Sequence, residues 1–333
     1  MLECVRTELP IFIVDTGRQW SGLYGVSESG AMDMGALERA NHILQQSPNT
    51  AALEILGSAS FVTHISMWVC FTGSAAEINI AGQGRLLNQA IWVNAHQTIV
   101  VERAKQGMRV ILGVYGGIDV PQYFSSSCGI VREGFGAFGD GKPMVSGTVA
   151  SINTNTSTNT NTNTNTNTNT IANTSTAHLH HNTEHVPKND KAKAHRSVSC
   201  VSETAAWIDF VPNYQYAKFS VTSRYRFVEQ AMQVTAQSDR MGLRLACTQP
   251  ISAPKLTSSQ ALALGVIQIP PDGQPIVMGR DRQTHGGYPV IGTVPEYGVD
   301  QLAQINVGQA FYFRVVTIEQ AIATYWLKKR LRV

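Results

Sequence analysis

Charge is scarce in this chain. Asp, Glu, Lys and Arg make up 15% of its 333 residues, and no stripe of Lys and Arg interleaved with aromatics runs through them, so the electrostatic footprint of a nucleic-acid-binding protein is missing. Long apolar runs are missing too. None approaches the roughly 18 residues that a membrane helix needs, and Leu9 to Val14 is too short for the core of a secretory signal, so a cytoplasmic protein without a membrane span is expected. The five cysteines, Cys4, Cys70, Cys128, Cys200 and Cys247, are odd in number and form no C-x-x-C pair, which reads as unpaired thiols of a reducing compartment. Self-contained hydrolase machinery is also lacking: there is no H-E-x-x-H, no serine nucleophile elbow and no set of paired metal ligands, so no metal site on this chain is expected.

What the chain does have is short apolar segments cut by turns. Pro10 to Val14, Phe61-Val62, Ile65 to Phe71, Ala76 to Ile80, Ala90 to Val93, Thr98 to Val101 and Arg109 to Val114 read as strands, with turns at Gly82-Gln83-Gly84 and Lys105-Gln106-Gly107. Such close spacing favours a barrel or sandwich over β-α-β units. One helix interrupts them. Ser29 is placed to cap it, Met34, Leu37, Asn41 and Leu44 follow at three- and four-residue spacing, and Ser47-Pro48-Asn49 stops it. Beyond residue 200, Trp207 to Val211, Tyr216 to Val221, Tyr225 to Val234 and Phe311 to Val316 read as strands, and Gly292 to Gly298 as a turn-rich exit. Ile318 to Arg330 reads as a closing helix with Thr317 and Gln320 as its capping box and Ile318, Ala321, Ile322 and Tyr325 as its apolar stripe.

Residues 151–200 separate the two strand-rich parts. Asn153 to Thr170 is an almost perfect Asn-Thr repeat with no apolar face to bury, so it is expected to be a disordered linker, and the histidines that follow (His178, His180, His181, His185, His195) are read as part of a soluble spacer. The resulting organisation is a domain over 1–150, a linker over 151–200 and a second domain over 201–333. Two nucleotide patterns occur between Gly134 and Lys142, Gly134-x-Gly136-x-x-Gly139 and Gly136-x-x-x-x-Gly141-Lys142. Both fail on context, since Pro143 stands where a P-loop needs Ser or Thr and no helical period follows to face a phosphate.

The most informative stretch is Ile267 to Val294. A strand ends at Pro270-Pro271-Asp272-Gly273, a turn with fixed φ followed by a residue free to take positive φ, and the chain restarts as Pro275 to Met278 before the polar run Arg280 to Thr284 and Gly286-Gly287. Gln268, Pro270, Asp272 to Ile276, Asp281, Gln283, Thr284, Gly286 to Pro289 and Ile291 to Val294 together resemble the signature of the carboxyltransferase-like family that includes the C subunit of 5-oxoprolinase, the KipA protein, the second subunit of allophanate hydrolase and part of urea carboxylase. The resemblance extends to Asp15-x-Gly17-Arg18, Gly25-Val26, Ser29 to Asp33, Ala40-Asn41 and Leu53-Glu54, to Gly116 to Pro121, and to Ser238 to Gly242 with Arg244-Leu245. It departs at Val14, Ser27, Arg280 and His285, where Gln, Pro and two small or aliphatic residues would be expected.

The resemblance implies a mainly β fold with a few helices, built as two cyclophilin-like β-barrel domains. It further implies one component of an ATP-dependent 5-oxoprolinase that opens 5-oxo-L-proline to L-glutamate together with partners like the A and B subunits of that enzyme, using ATP and magnesium. In that reading Asp239, Asp281, Arg282 and Gln283 are the catalytic candidates, with Asp239 and Asp281 toward magnesium or proton transfer, while Arg240, Thr284, Tyr288, Arg18 and Asp33 bind substrate. Two alternatives stay open. One is carboxyl transfer from biotin to urea or a similar amide, for which a separate carrier would be needed because no lysine here has the methionine flanks of a biotin attachment site; the other is a non-enzymatic KipA-like regulator of a kinase inhibitor.

Overall fold

The computed structural model describes residues 1–153, 206–255 and 258–332. The expected disorder of the linker and the reading of its histidines lie, from residue 154 on, outside the described residues.

Alternation of apolar and polar residues sets the architecture. Ala59–Thr63 and Ile78–Ile80 each bury every second residue, as strands with one face on a core do. They belong to a seven-stranded sheet that runs Ile118–Asp119, Val149–Ile152, Leu2–Thr7, Ala59–Thr63, Thr98–Val101, Ile78–Ile80, Gln83–Arg85. A five-stranded sheet, Phe12–Val14, Ala52–Leu56, Gln106–Val114, Met67–Ala75, Ala90–Val93, packs against the same core of Leu2, Phe61, Val69, Phe71, Ile99, Leu112 and their neighbours. Gln106 and Gly107, expected in a turn, instead begin the long strand, and the register shift between Gln106 and Val110 absorbs the glycine.

From Arg109 onward that strand is buried on both faces, because a helix covers its outer side. This helix, α1 (Met34–Ile43), starts later than the sequence predicts. Asp33, not Ser29, is its cap: Asp33 Oδ1 accepts from the Ala36 N–H at 2.9 Å, while Ser29 adopts φ +57° and turns its hydroxyl to another partner. Gly113 makes the close packing possible, since a Cβ there would lie 3.1 Å from Leu44 Cδ1 and 3.2 Å from Ala40 Cβ.

The second half closes into a seven-stranded barrel: Ala206–Pro212, Val290–Thr293, Val266–Gln268, Ile276–Met278, Gly242–Cys247, Met232–Val234, Ala310–Val315, with the last pairing parallel to the first. Phe210, Phe227, Phe311 and Phe313 fill it, Phe227 stacked on Phe313 at 4.7 Å. Two predicted strands are corrected. Tyr216 to Val221 contains a 3-10 turn at Tyr216–Lys218, and the first half of Tyr225 to Val234 belongs to helix α2 (Val221–Glu229), capped by Ser220, followed by the short strand Met232–Val234. Aromatic and β-branched residues there mimic a strand; the overlooked signal is Ser220 at the helix start. A third helix, α3 (Glu296–Leu302), replaces the expected turn after Pro295.

The closing helix α4 (Ile318–Arg332) keeps its predicted capping box, with Gln320 N–H donating to Thr317 Oγ1 at 3.2 Å and Thr317 N–H to Gln320 Oε1 at 2.9 Å. Its predicted stripe is not buried: Ala321 is, but Ile318 and Ile322 are more than half exposed. Among the described residues no helix is long and apolar enough to cross a membrane.

Candidate functional site

The Pro270 to Gly273 turn forms as its chemistry requires, with Gly273 at φ +73° and its N–H on the Pro270 carbonyl at 3.0 Å. It links Val266–Gln268 to Ile276–Met278, which pair antiparallel. The polar run leaves the other end of Ile276–Met278 and is therefore carried to the first half of the chain, where Arg280, Asp281 and Arg282 become buried.

The centre of the contact is Arg240. Its Nε and Nη2 bind Asp281 side-on at 2.8 and 3.2 Å, its Nη1 reaches Glu54 Oε1 at 2.8 Å, and its Nη2 also donates to the Gly30 carbonyl at 2.6 Å. Phe12 lies under the guanidinium at 5.0 Å. Ser29 donates its hydroxyl to Asp281 Oδ1 at 2.6 Å, and Glu54 Oε2 accepts the Met32 N–H at 2.8 Å. Burial opposes the charge on Arg240, yet the attraction of Asp281 and Glu54 outweighs it and raises the guanidinium above its ordinary pKa. Arg109, fully buried beside the same Glu54, is shifted down by its burial.

Neighbouring contacts extend the same seam. Arg282 donates to the Leu262 carbonyl at 3.0 Å and pairs with Glu28 at 2.5 Å. Asp300 of α3 accepts the Met34 and Gly35 N–H groups at 2.9 and 3.3 Å, placing a carboxylate from one half at the positive start of a helix from the other. Asp33 Oδ2 accepts from Gln304 Nε2 at 2.7 Å, and Gln304 Oε1 takes the Met108 and Arg109 N–H groups. Two residues that depart from the expected signature find roles in this seam: Arg280 pairs with Glu296 at 3.0 Å, and Ser27 donates to the Arg282 carbonyl at 2.9 Å.

The predicted site residues thus separate into two groups. Arg240 and Asp281 meet directly, Arg282 and Asp33 join the same seam, and Arg18 is buried beside it on the segment leading to Ser27 and Ser29. Gln283 and Tyr288 are exposed and Thr284 half-buried, on the surface above. Asp239 is apart from Asp281: its Oδ1 accepts the Met241 and Gly242 N–H groups at 2.8 and 3.0 Å and so shapes its own turn. Both Asp281 oxygens are already engaged by Arg240. The two carboxylates are thus engaged by different partners, and among the described residues no three His, Cys, Asp or Glu side chains gather as a metal-holding group. The Gly134 to Lys142 loop is followed by a turn and the strand Val149–Ile152, so it offers no helix start to a nucleotide.

Sequence reasoning assigned no role to Glu54, Glu28, Arg109, Asp300 or Gln304. Glu54 carries the one signal that was available, a lone carboxylate within the buried strand Ala52–Leu56.

Above the buried seam is a polar and aromatic rim. The turn Ser21–Tyr24 abuts Thr284: a Cβ at Gly22 would lie 4.0 Å from Thr284 Cγ2. Trp20, Leu23 and Tyr24 are largely exposed on it, Trp20 at φ +67°, and Tyr24 pairs with Phe124 at 5.7 Å. A non-glycine residue held at positive φ next to an exposed aromatic cluster fits a surface kept for binding at a cost in strain. Gln283 and Tyr288 expose an amide and a phenol on the loop that also carries the half-buried Thr284 hydroxyl. Cys128 is no ready nucleophile: burial first, and then the Asp15 carboxylate, push its thiol up to about 12.

The family described as carboxyltransferase domain, subdomain A and B, matches residues 24–315. Over 333 aligned residues the chain is 30% identical to the 5-oxoprolinase C subunit of Escherichia coli, covering 97% of this chain and 93% of that one. It is 28% identical to the 5-oxoprolinase C subunit of Haemophilus influenzae, covering 96% and 93%. The fold is that of part of the urea amidolyase of K. lactis, whose crystal structure superposes with a TM-score of 0.80 at 20% identity over 99% of this chain and 20% of that one.

Proposed function

Because the chain belongs to the carboxyltransferase domain family of subdomains A and B, we propose that it is the C subunit of an ATP-dependent 5-oxoprolinase, working with partners like the A and B subunits of that enzyme. The observation that carries this reading is the near end-to-end likeness to 5-oxoprolinase C subunits, taken with the convergence of the signature residues of this chain on the Arg240–Asp281 seam.

A five-membered lactam is a weak electrophile at neutral pH. Transfer of a phosphoryl group from ATP to its carbonyl oxygen would give an activated species that water can open, and that step is assigned to the assembled complex. This chain's part is to bind and orient. Gln283 and Thr284 supply an amide and a hydroxyl for the lactam N–H and C=O, and Tyr288 supplies a phenol from the same loop. Arg240, Asp281 and Arg282 are positioning residues that fix the loop carrying those groups, Asp33 ties α1 to the same seam, and Asp239 shapes the turn that aims Arg240. A cytoplasmic location is part of the proposal.

The test is ATP-dependent glutamate release from 5-oxoproline by this chain with its two partners, each omitted in turn. Release that requires all three supports the proposal. If the mixture assembles but releases nothing, while bicarbonate, a biotin carrier and urea give carboxylated product, the carboxyltransferase reading replaces it; inertness toward both substrates leaves the KipA-like regulator.

A further inference from the structure

Arg18 stands outside the balanced seam. Its side chain is fully buried, yet among the described residues it has no carboxylate at ion-pair distance. Its Nη2 donates to the Cys128 carbonyl and its flat face is covered by Phe135 at 4.9 Å, but Nε and Nη1 are buried with no acceptor. The nearest carboxylate along the chain, Asp15, is spent elsewhere: Oδ1 accepts from Gly17 N–H and Ser126 Oγ, both at 2.8 Å, and from Cys128 Sγ at 3.1 Å, while Oδ2 takes the Ser127 N–H at 2.6 Å. A guanidinium cannot shed its proton to relieve its burial, so an unpaired one is strongly unfavourable. The surrounding loops nevertheless hold it in place. Arg18 N–H is bound to the Glu28 carbonyl at 2.6 Å, and Gly17, at φ +87°, lets the chain pass within contact of Glu28 and Ser29.

We propose that Arg18 is a binding site for a small singly charged carboxylate, and that in the reaction proposed above it takes the carboxylate of the lactam acid. The inference rests on that reading for the identity of the ligand, not for the existence of the site. The charge matches one negative unit: a phosphate dianion would put a second negative charge near the Asp15 carboxyl group, which faces the same Cys128. The position matches as well, because the Arg18 segment leads directly into the Ser21–Tyr24 turn that abuts Thr284, on the rim assigned to the lactam ring. The cover is thin. Phe135 is only half-buried; its ring pairs with Tyr123 at 5.4 Å and its carbonyl accepts the Ile130 N–H at 3.1 Å, so the side chain and not the backbone is what must give way to a ligand. Displacement of the ring would admit a carboxylate to the edge of the guanidinium, where the Nε–H and Nη1–H groups point outward in its plane.

The test is thermal denaturation of the full chain, without ATP or partners, titrated with 5-oxoproline, with the neutral lactam 2-pyrrolidinone and with inorganic phosphate. The site predicts a concentration-dependent rise in Tm with 5-oxoproline and none with the other two. Arg18→Met should abolish the rise, and its ligand-free Tm should equal or exceed that of the wild type, because an unpaired buried charge has been removed; an arginine with a purely structural role would lower it. Arg18→Lys keeps the charge but loses the planar fork, and should weaken the 5-oxoproline midpoint by about tenfold or more. No rise in wild type, an undiminished rise in either variant, an equal rise with 2-pyrrolidinone, or a rise with phosphate alone overturns the proposal. Loss of glutamate release by the complex with the Tm rise intact would overturn the proposed function and leave this site standing.

Discussion

Arg240 was expected to bind substrate and Asp281 to serve magnesium or proton transfer, and at the scale of the residue their burial changes what a substitution does. Asp281→Ala would leave Arg240 short of its side-on partner, and removal of one partner from a buried pair costs about 3–5 kcal/mol. A fall of that size in the free energy of unfolding, measured by denaturant titration, is the expected outcome; unchanged stability would return Asp281 to the free catalytic groups. Gln283→Ala and Thr284→Ala touch no buried partner and should leave Tm within a degree or two while lowering kcat/KM for glutamate release by about tenfold or more. Burial also sets the response to alkali. The Cys70 and Cys128 thiols are pushed up to about 12 by desolvation, so they stay neutral in the folded protein while the unfolded chain ionises near its ordinary value of about 9. Their contribution to stability is therefore complete below that value and is lost as pH rises from about 9 toward 12. Tm should fall across that window, less so in Cys70→Ala, and iodoacetamide at pH 8 should spare both thiols in the native state.

At the scale of the element, α1 shows how a legible helix acquires its ends. Apolar spacing fixed its face and Ser29 was the expected cap, but the Ser29 hydroxyl is bound to Asp281 across the chain and Asp33 caps the helix instead. Helix α2 was misread as a strand since aromatic and β-branched residues fit either structure, and only packing against Ala310–Val315 decides. The capping box of α4 was legible because it is local, four residues that satisfy one another. Packing of α1 can be tested through Gly113. Gly113→Ala would drive a methyl group into Leu44 and Ala40, and a loss of about 1–3 kcal/mol is expected by thermal or denaturant unfolding.

Across the whole molecule, two apolar cores, one formed by residues of the first 153 and one by residues from Ile208 to Phe313, meet through a seam in which arginines and carboxylates of both halves alternate. Such a seam is specific in register and intolerant of a missing partner. Calorimetry of the intact chain is expected to give one cooperative transition, and Asp281→Ala or Glu54→Gln should split it into two as the halves lose their coupling. A single transition in both variants would mean that the coupling lies elsewhere.

Sequence alone determined the local events: alternation made the strands, Pro270 to Gly273 made the turn, Thr317 and Gln320 capped α4, and a string of polar residues marked where the family signature lies. Each needs only neighbours within a few residues. Tertiary structure alone decided which of those polar residues face water. Arg240, Asp281 and Glu54 are far apart in sequence and carry no mark of their pairing until the sheets are assembled, while Gln283, Thr284 and Tyr288 from the same short stretch remain at the surface. Burial and pairing are properties of contacts between distant segments, and no period or motif within one segment encodes them.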